Sequence, residues 1–277
     1  MKRPYSRAST PDRLVVIDCE TIAPPMADDS FPPWPLHDLI VTSLLSATRE
    51  RYGQWHFALE TVNFLNDPAA AIERVSHLLE NRTVVGFNTR GFDLSILALA
   101  AMKHQRSDLA GISRAWAAHR FSGESYDVAD VVSGYGAARG GNLERLCSAL
   151  GIPAKVDCHG SQVAELLAKR QFQKIQDYCE TDTAATLYLF AMVEGLQSND
   201  AGYAASLISQ FSRFVADRGL AHLKAFERIP GCGEFDRQSL VAMVEHGLAS
   251  LEHRQHLRFV SNVPGHTGVA VQSASDF

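Results

Sequence analysis

The sequence predicts an α/β fold in which a mixed sheet is flanked by helices and followed by a helical C-terminal extension. Three strand-like segments come first along the chain, and further strands then alternate with helices. After Gly195 this alternation gives way to amphipathic helical segments. We therefore expect a flexible tail at residues 1–12, an α/β domain at 13–195 and the helical extension at 196–277.

The predicted strands are short apolar runs bounded by turn residues. Residues 14–20 are apolar until the run ends in acids, which is typical of a buried strand. A proline-rich loop follows, and residues 39–47 and 52–59 predict two more strands joined by a polar turn. Residues 83–88 predict another buried strand. Residues 128–132 suit either a strand or a short helix, and the sequence does not decide between them.

Capping residues mark the predicted helices. Asp67 as N-cap and Pro68 in the first turn predict a helix that ends near Leu79. Asn142 is expected to cap a helix that ends at Leu150, before Gly151. The further predicted helices are 92–103, one capped by Ser161, a long helix over 172–195, and the segments 203–218 and 235–256 of the extension.

The overall composition is that of a soluble globular protein, with 46% hydrophobic and 21% charged residues among 277. Its longest apolar runs fall short of the roughly 20 residues of a membrane span, and the first residues lack the apolar core of a secretory signal. We therefore expect a cytoplasmic protein with no membrane partner. Five cysteines without a CxxC pair predict free thiols rather than disulfides or a structural zinc site.

The formal net charge is −5, whereas proteins that bind duplex DNA through charge are typically strongly basic. This balance argues against an architectural DNA-binding protein. It argues less against a nuclease, because two divalent ions would offset four of the negative charges.

Three short acidic segments carry the candidate chemistry. They are DCET at 18–21, GFNTRGFD at 86–93 and YCETD at 178–182. Together they supply four carboxylates and one phenol, which are Asp18, Glu20, Asp93, Asp182 and Tyr178. Hard cations such as Mg²⁺ and Mn²⁺ bind oxygen ligands, and pairs of them suit displacement at phosphorus. The leading hypothesis is therefore phosphodiester hydrolysis.

Each segment also has a simpler explanation. Asp18 and Glu20, two apart on a strand, project to the same face, but they would also suit a solvated strand end. Asp93 suits helix capping as well as metal binding. Asp182 lies in the inward-facing stripe of the long helix, four residues after Tyr178, where it would bind a metal or a neighbouring hydroxyl group.

Two further patterns bear on the site. Tyr126 and Asp130 repeat the Tyr-x3-Asp spacing, and they rank below Tyr178 and Asp182 because they do not lie on a long helix. Asn88 would contact a sugar, and the ring of Phe92 would stack on a terminal base. Phe92 is equally suited to a place in the core.

The order of these motifs resembles that found in the DEDD superfamily of 3′–5′ exonucleases. The tyrosine variant of that superfamily fits better than the histidine variant, which would place His at position 177, where this chain has Asp. The segments from YDVADVVSGYG to YCETD look closest to bacterial predicted exonucleases related to the proofreading domain of family-B DNA polymerases. The resemblance covers residues 14–195 and implies a ribonuclease H-like fold.

That resemblance also implies a role for each residue. Asp18 would bridge two Mg²⁺ or Mn²⁺ ions, and Glu20 and Asp182 would hold the ion that generates hydroxide. Asp93 would help to hold the second ion, and Tyr178 would orient the attacking water. The positions expected to contact substrate are Thr21, Asn88 and Phe92, while Lys155 and His159 would touch a phosphate or simply be solvated.

The predicted function is a metal-dependent 3′–5′ exonuclease that releases nucleoside 5′-monophosphates from single-stranded nucleic acid. DNA is favoured over RNA, although the residues alone do not decide between them. The alternatives are a nucleic-acid-binding module without turnover and a hydrolase of very short oligonucleotides. The C-terminal helices would form an oligomer surface, a substrate clamp or a lid, and the sequence leaves these open.

Overall fold

The computed structural model describes residues 10–28, 30–154 and 162–227, together with 237–239, 241–242, 244–246 and 249. Several predicted features lie outside the described residues: Lys155, His159, the Ser161 cap, most of the N-terminal tail and most of the helix over 235–256. None of the described helices is long and apolar enough to cross a bilayer.

A five-stranded mixed sheet forms the centre of the protein. Its strands are β1 (Arg13–Ile22), β2 (Asp38–Arg49), β3 (Trp55–Asn63), β4 (Thr83–Gly86) and β5 (Ser125–Asp127), in the order β3-β2-β1-β4-β5. β2 and β3 run antiparallel to their neighbours, whereas β4 and β5 continue the sheet parallel to β1. This is a ribonuclease H-like sheet, so the predicted α/β fold with a mixed sheet is confirmed.

The described α-helices are α1 (Pro68–Leu79), α2 (Asp93–Lys103), α3 (Ala110–Ala117), α4 (Val128–Val132), α5 (Leu143–Leu150), α6 (Val163–Ala168), α7 (Phe172–Ser198) and α8 (Ala201–Arg218). Asp67 and Asn142 cap α1 and α5 as predicted, each accepting a hydrogen bond from a backbone amide three residues later. The ambiguous segment 128–132 is a helix because the side chain of Asp127 accepts from the amide of Asp130. Helix α3 and strand β5 were not predicted, because their eight and three residues are too few to show a clear periodicity.

Alternation along β1 separates two apolar layers. Val15 and Ile17 pack with α1, α2 and α3 on one face of the sheet. Leu14 and Val16 face the other way, into the core that contains α7 and α8. Because side chains alternate along a strand, Asp18 continues the row of Leu14 and Val16 toward α7.

Helix α8 belongs to the same core as the sheet. Tyr203 and Phe211 of α8 are fully buried, and the Phe211 ring lies edge-on to Tyr188 of α7 and to Phe57 of β3. The division at residue 195 stays a prediction, and we propose that α8 stabilises the preceding domain as part of its packing.

A buried acid connects the 3₁₀ helix that follows α8 to the sheet. Glu180 of α7 accepts hydrogen bonds from Thr61 at 2.7 Å and Gln176 at 2.9 Å. Its second oxygen lies 2.8 Å from Nε2 of His222, in the 3₁₀ helix Ala221–Glu227. Burial alone would raise the pKa of Glu180, but the hydrogen bonds outweigh it and lower that pKa. Burial acts to lower the pKa of His222, and Glu180 and Asp177 outweigh it and raise that pKa.

We expect His222→Gln to lower the melting temperature most at about pH 6 and least at about pH 9. A histidine whose pKa is raised on folding stabilises the protein below its ordinary value of 6.5 and loses that effect as pH rises through the folded pKa. Thermal denaturation over this pH range measures the difference from wild type. His56→Gln is the matched control, because His56 pairs with Glu50 on the surface. A His222 effect that stays constant with pH would contradict the prediction.

Candidate active site

Two of the predicted acids lie near the carboxyl end of the central strand, β1. Asp18 and Glu20 lie opposite Ser43 and Val41 of β2, and the pairing shifts directly after Glu20. Such an irregularity is common where a strand carries functional side chains. Asp18 is half-buried and Glu20 is buried, so the alternative of a solvated strand end is wrong.

Asp93 reaches β1 from the neighbouring parallel strand. It is the first residue of α2 and follows the loop that leaves the carboxyl end of β4. Its Oδ1 accepts a hydrogen bond of 3.0 Å from the amide of Cys19. The N-cap position of α2 belongs to Phe92, so Asp93 is not the N-cap, and its carboxylate lies beside the strand between Asp18 and Glu20.

Helix α7 supplies the third part of the cluster. Tyr178 and Asp182 are both buried, and they lie one turn apart on the same side of the helix. Between them, the thiol of Cys179 donates to the carbonyl oxygen of Asp18 at 3.3 Å and to its Oδ2 at 3.4 Å. Ligand atoms of Asp18, Glu20 and Cys179 all lie within 4.8 Å of one another. The sequence predicts only a free thiol at Cys179, because nothing in its spacing indicates a partner 161 residues away.

The acids act on one another electrostatically. Burial, followed by the charges of Asp182 and Asp93, raises the pKa of Asp18 well above its usual value. Burial is also the main cause that raises the pKa of Asp93 to about 7. The pKa of Tyr178 is raised by burial and then by Asp182, Glu20 and Asp18. All four carboxylates therefore belong to one group of like charges.

The chemistry of this donor set fits a divalent metal ion. Like charges buried together are costly unless a cation neutralises them, and carboxylate oxygens are the ligands that Mg²⁺ and Mn²⁺ prefer. Burial raises the pKa of Cys179, so its thiol stays protonated and acts as a hydrogen-bond donor to Asp18.

Thr21 lies beside the cluster and is held by a histidine that the sequence analysis did not identify. Its hydroxyl is 2.7 Å from Nδ1 of His37, while Nε2 of His37 is 3.0 Å from the carbonyl oxygen of Pro32. Because a carbonyl only accepts, Nε2 carries a proton, and in the neutral ring Nδ1 accepts from Thr21. The His37 ring also meets Phe92 edge-on, with the ring centroids 5.0 Å apart. The centroid of Phe31, a largely exposed ring, lies 5.1 Å from that of His37 and 6.0 Å from that of Phe92.

Asn88 lies at the surface in the loop between β4 and α2. Its positive φ of 58° is less costly for asparagine than for most residues. A Cβ at Gly91 would come within 2.8 Å of the Asn88 side-chain oxygen, so glycine permits this close approach. Asp127 anchors the loop by accepting from the amides of Asn88 and Arg90, each at 3.0 Å.

The competing Tyr-x3-Asp pair does not form a site. The Tyr126 hydroxyl donates to Gln197 at 3.0 Å, whereas Asp130 accepts from Arg120 at 2.8 Å. Tyr126 is on β5 and Asp130 on α4, so the two side chains have different surroundings. The lower rank that the sequence analysis assigned to this pair agrees with this geometry.

Comparisons with known proteins point to one family. A family model described as a predicted 3′–5′ exonuclease related to the exonuclease domain of PolB matches residues 29–229. This range includes Asp93, Tyr178 and Asp182, and it begins after Asp18 and Glu20.

Among solved structures, the family B DNA polymerase from the hyperthermophilic archaeon Pyrobaculum calidifontis is similar, with a TM-score of 0.45 and 15% identity over 74% of this chain. The match spans 29% of that polymerase chain. None of the curated proteins matches.

Proposed function

Because this chain belongs to the family of predicted 3′–5′ exonucleases related to the exonuclease domain of PolB, we propose that it removes nucleoside 5′-monophosphates from the 3′ end of single-stranded nucleic acid, with DNA favoured. The proposed reaction is a metal-dependent hydrolysis of the terminal phosphodiester bond. One observation carries the proposal: acids from β1, α2 and α7 converge so closely that Asp182 and Asp93 both raise the pKa of Asp18.

The proposed metal ligands are Asp18, Glu20, Asp93 and Asp182. When bound, two Mg²⁺ or Mn²⁺ ions would supply an activated water and stabilise the leaving oxygen. The protein orients these ligands through hydrogen bonds at the back of the site. The Cys179 thiol holds Asp18, and the amide of Cys19 holds Asp93. In this proposal the carboxylate of Asp18 would be a ligand of both ions.

Tyr178 is proposed to orient the attacking water. Because burial, followed by the surrounding carboxylates, raises the pKa of Tyr178, the phenol stays protonated at neutral pH. A protonated phenol both donates and accepts a hydrogen bond, which is what positioning a water requires.

The residues beside the acids suit a terminal nucleotide. The Thr21 hydroxyl, directed by His37, and the exposed amide of Asn88 offer polar contacts to a sugar. The half-buried ring of Phe92, adjacent in sequence to Asp93, offers a surface on which the terminal base can stack. A base must be unpaired to use such contacts, which favours single strands.

The proposal is tested with a 5′-labelled single-stranded twenty-mer in the presence of Mn²⁺. We expect products that shorten one nucleotide at a time, release of nucleoside 5′-monophosphate, and no reaction when a chelator replaces the metal. A circular single strand is the control, and it should remain intact because it has no 3′ end. Binding of the twenty-mer without hydrolysis would instead indicate a non-catalytic module. Cleavage of dinucleotides alone would indicate a hydrolase of very short oligonucleotides.

A further inference from the structure

The turn after α4 holds a tyrosine in an unusual backbone conformation. Tyr135 has a φ of +61°, between Gly134 at +60° and Gly136 at +93°. The left-handed region is unfavourable for a bulky residue with a Cβ, whereas glycine enters it freely. Burial does not compensate for this strain, because Tyr135 is 43% exposed. A strained and exposed aromatic residue points to a function outside folding.

Tyr135 is one member of an exposed cluster. Its ring meets Phe121 edge-on with the centroids 4.9 Å apart, and the guanidinium carbon of Arg120 lies 5.4 Å from the Tyr135 centroid. Arg120 also donates to Asp130 at 2.8 Å, which holds the guanidinium in place. We call Arg120, Phe121 and Tyr135 the Tyr135 platform; all three are exposed.

The Tyr135 platform lies at the same edge of the sheet as the candidate active site. β4 and β5 are parallel, so the loop that leads to Asp93 and the segment that leads to Tyr135 leave the sheet at the same edge. Asp127 joins the two, because its Oδ1 accepts from the amides of both Asn88 and Asp130, at 3.0 and 3.2 Å. The carbonyl oxygen of Asp130 in turn accepts from the amide of Tyr135.

We propose that the Tyr135 platform binds the single strand upstream of its 3′-terminal nucleotide, with a base stacked on Tyr135 and a backbone phosphate bound by Arg120. This proposal rests on the proposed exonuclease function. Aromatic rings interleaved with arginine suit unpaired bases and phosphates, because every base has a face that stacks and every phosphate carries charge. Arg139 in the same turn is exposed and forms no ion pair within the described part of the chain, so it is available to a second phosphate.

The proposal predicts that the reaction depends on the length of the strand. We would measure kcat/KM for oligothymidylates of two to twenty nucleotides, and binding of a labelled twenty-mer by fluorescence anisotropy in Ca²⁺. For wild type, kcat/KM should rise with length and reach a plateau once the strand spans the Tyr135 platform. Tyr135→Ala should weaken twenty-mer binding about tenfold and leave cleavage of the dinucleotide unchanged. Arg120→Gln should make binding less dependent on salt.

Two further variants separate binding from folding. Tyr135→Gly should lose the affinity for the twenty-mer while melting no lower than wild type, because glycine relieves the strained φ. Tyr135→Phe, which keeps the ring, should restore binding. Tyr52→Ala, which alters an exposed tyrosine in the β2–β3 turn at the opposite edge of the sheet, is the matched control.

The outcomes distinguish this proposal from the proposed function. A wild-type rate that is independent of length, or a Tyr135→Ala variant that binds the twenty-mer as tightly as wild type, would overturn the Tyr135 platform alone. A wild-type protein that hydrolyses none of the oligonucleotides would overturn the exonuclease proposal, while the anisotropy measurement would still test the platform.

Discussion

Asp18→Asn is expected to lower the rate of 3′-nucleotide release by about 10³-fold or more. Asp18 is the acid whose pKa responds to both Asp93 and Asp182, so it is placed to serve both proposed metal ions. An amide keeps the shape and still accepts a hydrogen bond from Cys179, but it lacks the charge that holds a divalent cation. Single-turnover cleavage of a 5′-labelled twenty-mer with Mn²⁺ measures the effect.

The same variant should melt at a higher temperature than wild type when metal is absent. A carboxyl group whose pKa is raised by folding destabilises the folded protein at every pH above its unfolded pKa, and asparagine removes that charge. Mn²⁺ should then raise the melting temperature of wild type and not that of Asp18→Asn. Asp217→Asn, on the exposed face of α8, is the control for loss of one negative charge. An Asp18→Asn protein that cleaves as fast as wild type would refute the catalytic role.

Phe211→Ala should destabilise the protein by about 3–5 kcal/mol. The Phe211 ring is fully buried and contacts Tyr188 of α7 and Phe57 of β3, so its removal leaves a cavity between α8 and the sheet. Urea denaturation monitored by circular dichroism and by tryptophan fluorescence measures the change. Phe31→Ala should change the free energy of unfolding little, because Phe31 is largely exposed.

This second prediction also tests how the chain divides near residue 195. If α8 is part of the packing of the preceding domain, as we propose, wild type and variant should each unfold in one transition, with both probes coincident. Two separate transitions, with only the first shifted in Phe211→Ala, would show that α8 folds as an independent unit.

Local pattern was enough to predict most of the sheet and the long helices. Strands β1, β2 and β4 are apolar runs with charged or turn residues at their ends, and helices α1 and α5 begin with side chains that cap them. Strand β5 and helix α3 were not predicted because their few residues show no periodicity. Their conformations depend on packing against neighbouring strands and helices. Segment 128–132 is a helix whose N-cap is Asp127, a residue type that favours helix starts and is visible in the sequence.

The sequence by itself determined which acids this protein carries and which way they face. Period-two alternation along β1 directs Asp18 and Glu20 to one side, and the helical period of α7 places Asp182 one turn after Tyr178. Such periodicities are local properties of the backbone, so they can be read from consecutive residues.

Only the tertiary structure decided which of these groups meet, because residues distant along the chain come together only when the whole core packs. The Cys179 thiol on Asp18, the Cys19 amide on Asp93 and the placing of Thr21 against His37 all result from that packing. The same packing sends Tyr126 and Asp130 to different partners, although their spacing equals that of Tyr178 and Asp182. Gln197 lies 71 residues after Tyr126 and Arg120 lies ten residues before Asp130, and the Tyr-x3-Asp spacing carries no information about either partner.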